Sequence, residues 1–211
     1  MLSFINDGWV FELMKILATS DVHGDTRWIE KLAQKAEKEK VDLVLLCGDL
    51  TLDESMTDNI VGPFRKRNLK VALLPGNHES AATTGFLAEL YGAHHLHGYG
   101  LKIGDVGFFG AGHANVGPHM IDDKELFHLI QKSYNYVKDA KTKVLVTHVH
   151  SAGSLVEKMS FEGSAAVKKA IDMFKPELHL CGHIHECEGI EETIGKTKSI
   201  NVGKGGKIIE I

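Results

Sequence analysis

The strongest constraint on the fold is a pattern that recurs five times along the chain. A short apolar run ends, and aspartate, asparagine or histidine follows it almost at once. The runs and the residues after them are ILATS with Asp21 and His23, LVLLCG with Asp49, VALLPG with Asn77 and His78, VLVT with His148, and LHLCG with His183 and His185. Polar residues after one strand usually form a turn, but five such strand ends are hard to explain as turns. In open α/β sheets the carboxyl ends of the strands meet along one edge, so we expect these loops to converge there.

Strand-length apolar runs alternate with helix-like segments through most of the chain. The runs are rich in Val, Leu and Ile, which favours buried strands. Helix-like spacing is present at residues 26–40, about 53–67, 81–90, 122–139 and 163–174. Together they predict an α/β layered fold in which crossover helices join the strands. The glycine-punctuated end, CEGIEETIGKTKSINVGKGGKIIEI, predicts an antiparallel tail that closes a sheet.

Composition narrows the classes of function. The 211 residues are 43% hydrophobic and 25% charged, which is ordinary for a globular protein with a substantial core. The net charge of −4 counts against a nucleic-acid binder. No apolar run reaches the ~20 residues needed to cross a bilayer. Three cysteines form no disulfide framework and indicate a reducing, cytoplasmic setting.

We predict one domain over residues 14–211, preceded by a short extension over residues 1–13. The stretch MKILATSDVHGD begins with its own methionine and runs directly into a strand. One hypothesis is therefore that Met14 is the natural start. The alternative is that residues 1–13 are a genuine segment that packs Phe4, Trp9 and Phe11 on the surface.

The residues at the five strand ends offer a mixed set of metal donors. Carboxylate, amide and imidazole groups without thiolate suit manganese, iron or zinc in a catalytic site with open positions. Seven ligands are too many for one tetrahedral ion and enough for two, and one carboxylate can bridge ions ~3.5–4 Å apart. Each i, i+2 pair is expected to project to one side of an extended segment. The seven candidates are Asp21, His23, Asp49, Asn77, His148, His183 and His185.

The segment LCGHIHEC raises an alternative, a closed zinc site on one strand. Cys181, His183, His185 and Cys187 occupy every second position, so periodicity alone does not exclude it. Along an extended strand, however, four such side chains cover roughly 20 Å, whereas zinc ligands all lie ~2.0–2.3 Å from the ion. This comparison favours metal binding by the histidines and a core role for Cys181.

The motifs DVH, GD, GNHE, TH and GHIH, in this order, resemble those of the calcineurin-like metallophosphoesterases. The resemblance extends from about Met14 to Gly203. Residues 161–203 further resemble compact prokaryotic phosphoesterases related to the cyclic-nucleotide phosphodiesterases. The resemblance implies a four-layer α/β/β/α sandwich with a dinuclear metal site at the carboxyl ends of the strands. It also implies hydrolysis of a small phosphodiester or phosphomonoester.

Matching motif positions imply the role of each ligand. One metal would be held by Asp21, His23 and His185, the other by Asn77, His148 and His183, and Asp49 would bridge them. The resemblance implies two divalent ions, with Mn²⁺ expected first and Fe, Zn or Ni as alternatives. In such enzymes a hydroxide between the ions attacks phosphorus. The catalytic residues would then be Asp49 and His78, the latter contacting phosphate or protonating the leaving oxygen.

Substrate contacts are predicted at Asn77, His78, His113 and His150, because His113 ends another apolar run and His150 follows the TH motif. The sequence departs from the protein phosphatases after GD. Leu52 stands where they have an aspartate, and Asp53 comes one residue late, so neither the aspartate that supports the histidine nor the phosphate-binding arginine carries over. Glu79 is another candidate partner for His78.

A catalytically idle scaffold, or protein-interaction module, on the same fold is the alternative function. A nuclease is disfavoured by the net charge of −4.

Overall fold

The computed structural model describes residues 13–211 and contains two β-sheets. The first sheet has the strand order β11-β1-β2-β3-β4. Strands β1 to β4 run parallel, and the last strand of the chain pairs antiparallel with β1. The strands are β1 (Lys15–Thr19), β2 (Leu43–Cys47), β3 (Val71–Leu74), β4 (His94–His95) and β11 (Lys207–Glu210).

The second sheet has the order β5-β6-β7-β8-β10-β9. Its four central strands are parallel, and antiparallel strands β5 and β9 form the two edges. The strands are β5 (Gly100–Ile103), β6 (Val106–Ala111), β7 (Thr142–Thr147), β8 (Leu178–Cys181), β9 (Glu191–Ile194) and β10 (Thr197–Asn201).

Helices cover the outer face of each sheet. Most begin at an Asp or Ser side chain that accepts a hydrogen bond from a backbone N–H of the first turn, as Asp25 does for α1. The helices are α1 (Thr26–Glu39), α2 (Gly62–Lys66), α3 (Ala81–Tyr91), α4 (Asp123–Tyr134), α5 (Leu155–Lys158) and α6 (Ala165–Phe174), and a 3₁₀ turn spans His185–Cys187.

Three buried clusters define the layers. The middle cluster lies between the sheets and joins residues such as Leu45 of β2 to Phe108 of β6 and Val146 of β7. A second cluster packs the first sheet against α1, α2 and α3, and a third packs the second sheet against α4 and α6. Burial of apolar surface on both faces of parallel strands explains their continuous Val and Leu runs. The predicted α/β/β/α sandwich is confirmed.

Two predictions about secondary structure are corrected. The segment predicted as a helix over 53–67 is helical only at Gly62–Lys66. Before it, Asp53, Glu54, Met56 and Asn59 have positive φ angles, which a right-handed helix does not allow. The C-terminal tail is only partly antiparallel, since β10 pairs parallel with β8 and β11 returns to the first sheet.

The predicted extension over residues 1–13 lies outside the described residues except for Leu13. The proposed start at Met14 stays a prediction. Within residues 13–211, no helix has the length and apolar character needed to cross a membrane.

Candidate metal centre

The polar strand ends meet where the carboxyl edges of the two sheets come together. The loops after β1, β2 and β3 come from the first sheet, and those after β7 and β8 come from the second. Between the sheets, the His183 N–H after β8 donates to Asp21 Oδ2 after β1 at 3.1 Å, and His148 Nδ1 after β7 lies 2.9 Å from the carbonyl oxygen of Cys47, the last residue of β2. The site therefore forms at the junction of two stacked sheets rather than at the edge of one.

One group of donors is formed by Asp21, His23 and His185, whose ligand atoms all lie within 4.8 Å of one another. The Nε2 atoms of His23 and His185 are 3.1 Å apart. His185 Nε2 is 3.6 Å from Asp21 Oδ1. These are the residues that the motif positions assign to one metal.

A second group contains Asp49, His148 and His183, again within 4.8 Å. Asn77 belongs beside it, because its Oδ1 lies 3.1 Å from His148 Nε2. His148 Nδ1 lies 2.9 Å from the Cys47 carbonyl oxygen and can donate to it, which leaves the Nε2 lone pair for a metal. The backbone of β2 thus orients this imidazole.

Asp49 lies between the two groups. Its Oδ2 is 3.3 Å from His148 Nε2 and 3.7 Å from His23 Nε2. With His23 and His78 it forms a third candidate group within the same distance limit. The His78 N–H donates to Asp49 Oδ1 at 3.0 Å, so the two carboxylate oxygens face different partners. This is the placement that a bridging carboxylate requires.

The donor spacings fit divalent cations. At metal–ligand distances of ~2.1 Å, adjacent ligands of an octahedral ion lie about 3.0 Å apart. The three shortest separations between donors, 3.1, 3.1 and 3.3 Å, are close to this value. Oxygen and imidazole donors together suit Mn²⁺, Fe or Zn²⁺.

The buried charges stabilise one another. Burial opposes ionisation of Asp49, but the neighbouring His148 outweighs it and holds the pKa of this carboxyl below its ordinary value. Burial likewise opposes protonation of His148, yet Asp49 raises its pKa to about 9. The same negative field that attracts a proton to His148 attracts a metal cation in its place.

The backbone conformation of the ligands differs from the prediction. Asp21, His23, Asp49 and His183 all have positive φ angles of 45–73°, so the i, i+2 pairs do not lie on extended segments. Asp and His tolerate the left-handed region better than most residues, which explains their use at such bends. The strand β8 ends at Cys181, and His185 begins the 3₁₀ turn.

Two glycines allow the loops to approach closely. A Cβ on Gly182 would lie 1.9 Å from Ser20 Oγ and 2.6 Å from Asp21 Oδ2. A Cβ on Gly76 would lie 2.0 Å from Asp49 Oδ1. The sequence showed these glycines only as parts of the motifs, and the structure gives the reason for them.

Sequence reasoning missed the partner of His78. Asp53 Oδ1 lies 2.6 Å from His78 Nδ1, although Asp53 stands one position later than the protein phosphatase aspartate. Positive φ angles at Asp53 and Glu54 turn the loop so that the later carboxylate reaches the imidazole. An acidic residue near the GD motif is the signal available in the sequence, and the left-handed residues of the loop let it act from one position later.

Glu79 has a different role from the one considered. Its buried carboxylate accepts hydrogen bonds from the backbone N–H groups of Leu50, Thr51 and Gly76, at 2.7–3.2 Å. Burial raises the pKa of Glu79. It links the loops after β2 and β3, and its hydrogen bonds go to these groups rather than to the His78 imidazole.

The remaining candidates are the two histidines predicted as substrate contacts, His113 and His150, and the three cysteines. His150 is 1% exposed and its Nε2 lies 3.0 Å from the Phe161 carbonyl oxygen; its substrate contact stays a prediction. His113 is half-buried, and its Nδ1 lies 3.1 Å from the carbonyl oxygen of His119, in the loop that contacts the Asn77 backbone. Its substrate role stays a prediction. All three cysteines are free and buried, and none belongs to a candidate metal group among the described residues.

Solved structures share this fold at low sequence identity. The protein TT1561 of Thermus thermophilus matches with a TM-score of 0.75 and 17% identity, covering 94% of this chain and 99% of that one. A dimetal phosphatase from Danio rerio matches with a TM-score of 0.56 and 10% identity, covering 90% and 87%. A novel archaeal phosphodiesterase matches with a TM-score of 0.52 and 18% identity, covering 94% and 100%.

Sequence comparison gives the family directly. No curated protein matches the chain. The calcineurin-like phosphoesterase profile matches residues 14–187, which include all seven candidate ligands and His78. The chain belongs to the calcineurin-like phosphoesterase family.

Proposed function

We propose that this protein is a dinuclear metal-dependent phosphoesterase that hydrolyses a small phosphodiester or phosphomonoester. Membership of the family supports the reaction class. The observation that carries the proposal is the position of Asp49, which lies within 3.7 Å of an imidazole from each of the two donor groups. One carboxylate between two sets of ligands is the arrangement that a two-metal hydrolase needs.

The bound ions would neutralise charge on the phosphoryl oxygens and lower the pKa of a water molecule. The protein would supply orientation and proton transfer. The imidazole of His78 packs edge-on against that of His23, with ring centres 4.9 Å apart, so it lies beside the donors. In this proposal Asp53 holds Nδ1 of His78 and leaves Nε2 for the leaving oxygen.

We further propose Mn²⁺ as the metal and the cytoplasm as the location. The thiolate-free donor set, which combines carboxylate and amide oxygens with imidazoles, supports manganese, with Fe, Zn and Ni as alternatives. Three free, buried thiols support a reducing compartment. The proposed partner is a small phosphoester rather than a nucleic acid, since the net charge is −4.

The test is hydrolysis of bis-p-nitrophenyl phosphate and p-nitrophenyl phosphate by metal-stripped protein, with Mn²⁺, Ni²⁺, Zn²⁺, Mg²⁺ or no metal added. Turnover should require metal and fall by roughly 10²-fold or more in Asp49→Asn and in His78→Ala. Asp58→Asn and His128→Ala change exposed residues outside the site and should retain activity. The better ester would separate diesterase from monoesterase.

A catalytically idle scaffold predicts a different result. Such a protein would bind about two ions per chain and hydrolyse neither ester with any metal. Measurement of bound metal by mass spectrometry beside the activity assay distinguishes the two functions. The presence of His78 together with all seven ligands supports the enzyme.

A further inference from the structure

A cleft of about 240 Å³ adjoins the candidate metal centre. Three candidate ligands form part of its lining, and the rest comes from the 3₁₀ turn region and the loop between β10 and β11. Its lining residues are Asp21, His23, His185, Glu188, Gly203 and Lys204. Lys204 is the lysine among them, and none of the roles assigned above uses it.

The loop that carries Lys204 is held firmly in place. The Gly203 carbonyl accepts the Ser20 N–H at 2.9 Å, immediately before the ligand Asp21. The Lys204 carbonyl accepts the indole N–H of Trp28 at 2.7 Å. These contacts tie the loop to β1 and α1 and fix the backbone of Lys204 relative to the ligands.

Glu188, the acidic neighbour of Lys204 in the cleft, already accepts two hydrogen bonds. Glu188 Oε2 accepts the Lys204 N–H at 3.2 Å, and its Oε1 accepts the Gly205 N–H at 2.9 Å. Because both carboxylate oxygens bind loop amides, Glu188 supports the loop and leaves the lysine side chain as the charged donor of this wall.

The ammonium group keeps free donors. Lys204 Nζ contacts Asp25 Oδ2 at 2.9 Å, and the two side chains are 40% and 35% exposed. Such a partly exposed pair is screened by water and stabilises a fold little. One of the three N–H donors is thus engaged with Asp25, and the others can bind an oxyanion.

We propose that Lys204 binds an anionic group of the substrate other than the phosphoryl group that reacts at the metal centre. Ions bound by Asp21, His23 and His185 would hold the reacting phosphoryl group at one part of the cleft lining. Lys204 lies at another part of the lining, where it can bind a second anionic group of the same substrate. The substrate class is then a phosphoester that carries a further phosphate or carboxylate. This inference rests on the proposed function and specifies its substrate.

The experiment compares two phosphonates that are not hydrolysed, ethylphosphonate and 2-carboxyethylphosphonate, by calorimetric titration of the Mn²⁺-loaded protein. The carboxylate-bearing compound should bind roughly 10-fold more tightly, as expected for one charge-assisted hydrogen bond. Lys204→Gln should remove this preference and leave the affinity for ethylphosphonate within about twofold. Lys204→Arg should retain most of the preference.

Lys35→Gln is the matched control, because Lys35 Nζ binds the Gly206 carbonyl of the same loop at 2.7 Å without lining the cleft. It should keep the preference. Asp25→Asn provides a second test that does not depend on Lys204 variants, since asparagine also caps a helix and the change frees the lysine. The preference should persist or increase in this variant.

Equal affinity for the two phosphonates in the unaltered protein, or no binding of either, overturns the proposal. So does a preference that survives in Lys204→Gln. Because the titration requires no turnover, the proposed Lys204 anion site and the proposed phosphoesterase activity can fail independently of each other. A Lys204-dependent preference without any esterase activity would refute the proposed phosphoesterase function and support the anion site. Esterase activity without the preference would support the function and refute the anion site.

Discussion

The contact between Asp53 and His78 makes the sharpest prediction about catalysis. Asp53 Oδ1 and His78 Nδ1 are 2.6 Å apart, and their side chains are 65% and 29% exposed. Asp53→Asn keeps the size of the side chain and an acceptor oxygen but removes the charge. If His78 protonates the leaving oxygen, the charged carboxylate holds the Nδ1 side of the ring more firmly than an amide oxygen does and keeps Nε2 directed at that oxygen, so the change should lower kcat.

The exposure of the pair limits the size of the effect. A hydrogen bond to a charged group contributes about 1.5–3 kcal/mol, and exposed ion pairs contribute about 0.2–1 kcal/mol. Because Asp53 is mostly exposed, we expect a loss of about 1–1.5 kcal/mol in transition-state stabilisation, which is roughly a 5- to 10-fold lower kcat. His78→Ala should cost more, about 10²-fold or above, since it removes the acid itself.

The assay compares p-nitrophenyl and phenyl esters of the same phosphoryl group. Phenolate is a more basic leaving group than p-nitrophenolate, so its departure depends more on protonation by His78. Asp53→Asn should therefore slow the phenyl ester more than the p-nitrophenyl ester. Asp58→Asn, an equal change of charge in the same loop, should slow neither. An equal loss on both esters, or a loss of bound metal in Asp53→Asn, would refute the assignment of Asp53 as the positioning residue for His78.

Three other perturbations test the metal centre, its close packing and a buried histidine. Mn²⁺ at about 100 times its Kd should stabilise the fold by about 2.7 kcal/mol and raise the Tm by roughly 5–10 °C, which calorimetry with and without chelator would show. Gly182→Ala places a methyl group within 1.9 Å of Ser20 Oγ, so we expect a lower Tm and about tenfold weaker metal binding, whereas Gly85→Ala meets only ordinary contacts and should do neither. Burial lowers the pKa of His179 from 6.5 to about 3, so the unfolded chain binds a proton that the folded chain refuses as the pH falls through this window. Stability should therefore fall by up to about 1.4 kcal/mol per pH unit from this group, and His179→Gln should reduce that slope in urea titrations.

The sequence was sufficient for features that depend on local chemistry. The run LVLLC predicts a strand buried on both faces, and β2 is buried at all five positions. Asp25 precedes a segment with apolar residues three and four apart, and α1 begins there and buries Ile29 and Leu32. The polar residues after the strands follow from the same logic, because a buried strand can present functional side chains only where it ends.

Features that depend on partners distant in sequence could not be predicted. Nothing local distinguishes the strands of the first sheet from those of the second, so the site was expected at one edge. Asp53 reaches His78 only because several residues after β2 adopt left-handed conformations, which leave no periodic signal. Nothing local in the sequence marks His150 or His179 as interior residues, yet both are buried, and the Thr147 and Ser199 hydroxyl oxygens each lie 2.9 Å from a ring nitrogen of His179.

The carboxylates of the candidate centre also brace the loops that carry the other ligands. Asp21 accepts the His183 N–H at 3.1 Å, and Asp49 accepts the His78 N–H at 3.0 Å. Left-handed conformations at Asp21, Asp49 and His183 store strain that persists only where the surroundings impose them. These hydrogen bonds, with the close approaches at Gly76 and Gly182, join the loop after β1 to that after β8 and the loop after β2 to that after β3. A change at either carboxylate should therefore displace a neighbouring loop as well as remove a metal donor.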